Sequence, residues 1–298
     1  MGTFLASRIM SDIFIGVTNG ILFSLVALSL VIIWQSTNIL NFAQGAMAMI
    51  SAYIGMSQID RGVPYWLSVA ISIAIGFLFG GLTERTLIRP LYGKPEINPI
   101  VVMVGFFGII EAVAAAVWGT TPRSLPIPFS QVSFQSHGAT IQLSPFLIFQ
   151  VLAATAIMTL MAVIFRFTKL GLQLRASALA PEVARLLGVR VNRMLTFGWM
   201  ISSAVGAVAA IVVSSGTNGL SPTNMDAIFV SGFIAAAIGG LESPVGAVIG
   251  GLLLGVAEQF ILDYWSGNIA PASGLIVLIA VLMIRPQGLF SAKRSRRV

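Results

Sequence analysis

The stretch "NGILFSLVALSLVIIWQSTNILNFAQGAMAMISAYIG", residues 19–55, runs without one charged side chain and is broken only at its centre by a polar cluster, "QSTN". A run of this length is more than enough to cross a hydrocarbon layer of about 30 Å, which takes roughly 20 helical residues. Its apolar residues are continuous. The alternating pattern of a membrane strand is missing, so the segment reads as two membrane helices separated by a polar break.

The rest of the chain repeats this pattern. Over 298 residues the hydrophobic fraction is 57%, only 9% of residues are charged, and the mean hydropathy is +0.95. Soluble domains carry about 25% charge, so a water-soluble fold could not hide this surface. Windows of apolar residues fall at about 13–33, 39–58, 64–82, 97–118, 144–165, 194–214, 226–241, 244–262 and 270–284. The fold class expected is therefore all-α, a polytopic transmembrane bundle of eight to ten spans in one domain covering 1–298. The seventh and ninth windows are short, and the seventh suits a broken or re-entrant helix. Met1–Met10 lack the features of a cleaved signal, so the first span, from near Ile13, is expected to be retained.

Charge gives orientation. Of the 17 basic residues, three lie in 83–96 (Arg85, Arg89, Lys94) and six in 166–193 (Arg166, Lys169, Arg175, Arg185, Arg190, Arg193). Five more lie in the tail 285–298 (Arg285, Lys293, Arg294, Arg296, Arg297). By the positive-inside rule these segments are cytoplasmic, and nine crossings would leave the N-terminus outside and the C-terminus in the cytoplasm. The net charge of +7 is thus topology, and nucleic acid is set aside as a partner. The loop 119–143, with "PIPFSQVSFQSHGATIQL", suits the outer face. Glycines four apart (Gly16 and Gly20, Gly76 and Gly80, Gly246 and Gly250, Gly251 and Gly255) mark faces where helices can approach closely. "GAMAMISAYIG" at 45–55 and "GAVIGGLLLGV" at 246–256 form a weak internal echo.

One charged segment stands apart. In "RASALAPEVARLLGV", residues 175–189, Pro181 suits a first helical turn, Glu182 lies at the positive end of the dipole, and Val183, Leu186 and Leu187 share a face. Gly188 is a natural stop. A helix of about eight residues is unstable alone, so it needs a partner: the anionic inner leaflet, or a groove on a cytoplasmic protein.

Candidate chemistry is sparse. Asn38, Asn41 and Gln44 would share one face of a continuous helix and could line or gate a route for zwitterionic solutes, or else bond between helices or cap a break. Glu111 and Glu258 could carry protons in a secondary transporter or be structural. His137, the only histidine, cannot make a metal site alone, and cysteine is absent. Nucleophile motifs and a GxxxxGK[ST] phosphate loop are also absent, so no catalytic residue, metal or cofactor is expected, and any ATP chemistry would come from another chain.

"EVARLLG", residues 182–188, resembles the EAA-type loop through which permease subunits of ABC importers contact their ATPase subunits, although Val183 departs from the usual alanine. The 19–55 stretch, with Asn41, Phe42, Ala43 and Gly45, is similar to the N-terminal signature of the LivH-type branched-chain amino acid permeases. "GLQLRASALAPEVARLLGV" and "FIAAAIGGLESPVGAVIGGLLLGVAEQFI", 233–261, resemble that family's middle and C-terminal signatures, in order. The resemblance implies an inner-membrane permease of bacterial type without its own ATPase. It would pair with a second homologous permease subunit or a second copy, two ATP-binding subunits and an extracytoplasmic solute-binding protein. The coupling loop would be Pro181, Glu182, Ala184, Arg185, Leu187 and Gly188. Related permeases are associated with urea and short amides, so substrate is the weaker inference. A proton-coupled carrier and a membrane-embedded enzyme or assembly factor are the alternatives.

Overall fold

The computed structural model describes residues 2–132, 135–136, 139–140, 144–215, 219–265, 270–285 and 288–290. His137 and the tail residues Lys293 to Arg297 lie outside them. The helices are α1 (Gly2–Thr37), α2 (Gln44–Asp60), α3 (Tyr65–Thr83), α4 (Ile97–Trp118), α5 (Pro145–Phe167), α6 (Lys169–Leu179), α7 (Pro181–Leu186), α8 (Val191–Ser214), α9 (Asp226–Gly239), α10 (Pro244–Tyr264) and α11 (Ala270–Ile284). A two-residue hairpin, Gln135–Ser136 with Ala139–Thr140, interrupts the loop after α4. The nine expected windows each hold a helix. Six helices are long and apolar enough to cross a bilayer, whereas α2, α9 and α11 have only 17, 14 and 15 residues. The first helix also begins at Gly2, well before Ile13.

Helices α1 and α8 are the most enclosed, and α4 and α5 the least. The central pair runs antiparallel: the Ser202 hydroxyl donates to the Ser29 carbonyl at 2.6 Å, and Gly198 of α8 abuts Ser36 near the end of α1. Lipid offers no hydrophobic drive for helix association, so small residues and cross-helix hydrogen bonds must supply it. Helix α10 packs antiparallel along α1, with Gly16 and Gly20 against Gly255 and Gly251, backbone on backbone. Ser24 reinforces this seam by donating to the Val248 carbonyl at 2.8 Å. On the other side α3 packs antiparallel along α8, with Gly76 and Gly80 against Ala207, Ser203 and Trp199.

The two sides correspond. Helix α2 leans on α8 where Gly206 meets Gln44 and Ala48, and α9 leans on α1 where Gly232 meets Val26 and Ala27. The units α1–α3 and α8–α10 therefore take equivalent places in opposite directions, the arrangement of an inverted-topology repeat. Its short members, α2 and α9, meet at their starts, where Gly45 abuts Phe229 and the Phe42 and Phe233 rings lie 6.2 Å apart. The echo between 45–55 and 246–256 joins α2 to α10, which occupy different places; α2 corresponds to α9.

Three basic segments gather at one end of the bundle. Tyr92 after α3 packs with Ala184 of α7 and Leu195 of α8, and Asn38 bonds to α6. At the same end the Gln35 amide donates to the Glu242 carbonyl at 2.6 Å, and Leu289 and Phe290 donate their amides to Ile238 and Gly239. The other end is closed by the loop after α4, where Arg123 pairs with Leu220 and Leu125 with Ser215. Trp66, Phe129 and Phe149 cluster there, as amphipathic rings do at a membrane boundary.

Candidate functional site

The basic end is built around the elbow between α5 and α8. Thr168 ends α5 in an extended conformation and caps α6, its hydroxyl accepting from the Gly171 amide at 3.3 Å. Arg175 folds back along α6 and donates to the Phe165 carbonyl at 3.0 Å, locking α6 to the end of α5. After Ala180 the chain turns, and Pro181 starts α7 in the position where its missing N–H costs nothing. Gly188, at φ 80°, ends the turn; its amide bonds to the Arg185 carbonyl while the Val189 amide bonds to that of Ala184.

This helix points the opposite way from the simplest amphipathic expectation. The residue that seats it is Ala184, 2% exposed among Tyr92, Ala176, Val189, Val191 and Leu195. Val183, Leu186 and Leu187 are instead turned outward, at 55%, 87% and 78% exposure. Glu182 and Arg185 are exposed beside them, and neither makes an ion pair among the described residues. The result is a short helix gripped by one small residue, presenting a leucine-rich face framed by one acid and one base.

Beneath it lies a polar cluster that sequence reasoning missed. The Glu84 carboxylate is fully buried and receives Arg89 as a two-pronged fork, Nε to Oε1 at 3.3 Å and Nη2 to Oε2 at 3.0 Å. Tyr92 donates its hydroxyl to Oε1 at 3.2 Å, and Thr196 of α8 donates to Oε2 at 2.8 Å while accepting from Arg89 Nη2 at 2.7 Å. Residues five apart do not share a face of an α-helix. Here α3 continues as a π-helical turn, Glu84–Ile88, and then a single 3-10 turn, Arg89–Leu91, which bring Arg89 and Tyr92 back over Glu84. Burial pushes the Tyr92 phenol well above its usual value and the adjacent carboxylate adds to the shift, so the hydroxyl remains a donor.

Asn38, Asn41 and Gln44 do not share one helix face, because α1 stops at Thr37. Asn38 sits at φ 53°, a left-handed backbone that asparagine tolerates better than most residues, and donates to the Ala178 carbonyl of α6 at 3.3 Å. Asn41 and Gln44 are each 1% exposed. Asn41 accepts from the Ala43 amide at 3.0 Å and donates to Gln44 Oε1 at 3.0 Å; Gln44 in turn donates to the Ser202 carbonyl of α8 at 3.1 Å. The three amides therefore staple a break in the chain: one to the elbow, two to α8. Elsewhere in the bundle Ser231 of α9 donates to Glu258 at 3.5 Å, and the Glu111 carboxyl of α4 sits against that of Asp226 at the start of α9.

The family model for "Branched-chain amino acid transport system / permease component" matches residues 13–285. The chain belongs to this permease family. It is 26% identical over 303 residues to the Escherichia coli (strain K12) high-affinity branched-chain amino acid transport system permease protein LivH, covering 97% of each chain. It is 28% identical over 296 residues to BraD of Pseudomonas aeruginosa, covering 95% of this chain and 96% of that one. A probable LivH permease of Methanocaldococcus jannaschii is 28% identical over 284 residues, covering 89% and 87%. This permease is thus the multi-pass membrane component of an ABC transport system, and the secondary-carrier and enzyme alternatives are not favoured.

Proposed function

We propose that this permease imports branched-chain amino acids across the inner membrane of a bacterial-type cell. In this reading it pairs with a second homologous permease subunit or a second copy, takes solute from an extracytoplasmic binding protein, and is driven by two ATP-binding subunits. One of them docks at Pro181, Glu182, Ala184, Arg185, Leu187 and Gly188. The gathering of the basic segments supports a cytoplasmic elbow and C-terminus, with the N-terminus outside.

The observation that carries the reading is the outward leucine face of α7. Three large apolar side chains on six residues of helix, next to two unpaired charges, suit a protein groove that buries the apolar anchors and uses the charges to set register. Asn38, Asn41 and Gln44 serve as the gate: they hold the break between α1 and α2 closed against α8 and connect it to the elbow.

The test is Leu186→Asp and Leu187→Asp in the intact complex. Exposed positions cost the fold roughly 0.5 kcal/mol or less, so membrane abundance should be unchanged. Leucine uptake and co-purification of the ATP-binding subunits should both be lost. Retention of both with wild-type abundance would sink the docking site.

A further inference from the structure

The Glu84 cluster joins parts of the molecule that no single helix joins. Glu84 ends α3 in its π turn, Thr196 belongs to α8, and Tyr92, which donates to Glu84, packs its ring into the small apolar group that seats Ala184 of α7. From there α3 runs along α8 through Gly76 and Gly80, and α8 carries the Ser202 bond to α1 and the Gln44 bond to α2. A path of direct contacts therefore leads from the exposed face of α7 through Tyr92 and Glu84 to the central antiparallel pair.

The chemistry suits a rigid linkage. A fully buried carboxylate is tolerated only when its lone pairs are satisfied, and here Arg89, Tyr92 and Thr196 fill them with directed, charge-assisted bonds. Such a network resists bending far more than apolar contact does, because each donor is fixed in angle as well as distance. Apolar packing alone would let α7 slide on α8; Tyr92 reaches Glu84 and stops it.

We infer that the Glu84–Arg89–Tyr92–Thr196 cluster is a coupling latch, a set of positioning residues that makes α7 move with α3 and α8 as one body, so that displacement of α7 by the ATP-binding subunit reaches the α1–α2 break. The inference rests on the docking role of α7. It assigns Tyr92 the transmitting contact and Glu84 the anchor.

The experiment compares Tyr92→Phe and Glu84→Gln with the parent in the complete transporter, purified through this chain and reconstituted in vesicles with its loaded binding protein, reading labelled leucine moved per ATP hydrolysed. Tyr92→Phe keeps the ring against Ala184 and removes only the hydroxyl. The ATP-binding subunits should stay bound and hydrolysis should continue, while leucine per ATP falls at least about fivefold, the lower end of coupling energies between linked sites. An unchanged ratio overturns the latch, as does a proportional loss of hydrolysis, uptake and bound ATP-binding subunits, which would make the cluster a folding element. If Glu84→Gln fails to fold, Tyr92→Phe decides alone. Failure of the docking site is seen separately, when Leu186→Asp retains the ATP-binding subunits.

Discussion

The side-chain amide of Asn38 donates to the backbone carbonyl of Ala178 at 3.3 Å, tying the end of the first membrane helix to the elbow that precedes α8. The bond joins the break in the core to the part of the chain nearest α7, and its donor is the only non-glycine residue with positive φ among the described residues. Two demands meet at this position, a left-handed backbone and a reaching amide, and asparagine satisfies both.

Separating those demands gives the first expectation. Asn38→Gly keeps the backbone and loses the bond, so folding should change little while uptake falls. Asn38→Val loses both, and forcing a β-branched residue into the left-handed region adds about 1–2 kcal/mol of strain. Thermal unfolding in detergent should rank parent and Asn38→Gly together, with Asn38→Val clearly below.

Glycines that look alike in sequence should differ sharply. A side chain at Gly255 would run into the backbone of Gly20 and Gly16, whereas one at Gly105 on α4 would meet nothing within 4 Å. Gly255→Leu should therefore cost at least roughly 1–3 kcal/mol, the usual penalty for overpacking. Gly105→Ala should be neutral or slightly stabilising, since alanine is the better helix former. Equal losses at the two sites, measured as melting temperature, would refute the α1–α10 seam.

Removing one partner of a buried ion pair is harsher than removing both. Arg89→Met leaves Glu84 buried with only Tyr92 and Thr196, and should cost up to about 3–5 kcal/mol. The double variant Glu84→Leu with Arg89→Met should recover much of that loss in stability. It should not recover coupling, because the bond from Tyr92 is gone; a double variant with the parent's leucine per ATP would contradict the latch.

Charge reversal on α7 probes the interface from outside. Glu182 is exposed at the first turn, where an acid contributes only about 0.3–1 kcal/mol through the helix dipole. Glu182→Lys should thus fold and reach the membrane at the parent's level yet abolish leucine uptake. Normal uptake would mean that this charge does not set register against a partner.

Much of the architecture was legible because each helix announces itself as an apolar window with polar ends, and the glycine pairs named the seams in which they now sit. What escaped reading depends on contacts between segments remote in the chain. The face of α7 is an example: Val183, Leu186 and Leu187 make a sound apolar stripe, yet Ala184 is the residue drawn inside, because only a small side chain fits among Tyr92, Val191 and Leu195. Glu84 and Arg89 escaped for a related reason. Their spacing is wrong for an α-helix, and no local pattern signals the wider turn that unites them. The apparent stripe of Asn38, Asn41 and Gln44 assumed a continuous helix, which the left-handed turn at Asn38 ends.

The equivalence of α1–α3 with α8–α10 has one more implication. Two stretches that hold matching posts while facing opposite ways can trade their tilt angles, and the trade yields a second shape of the same molecule. A mouth shut toward one side of the bilayer in the first shape is open in the second. The polypeptide thereby encodes both ends of a pumping stroke in a single set of helices.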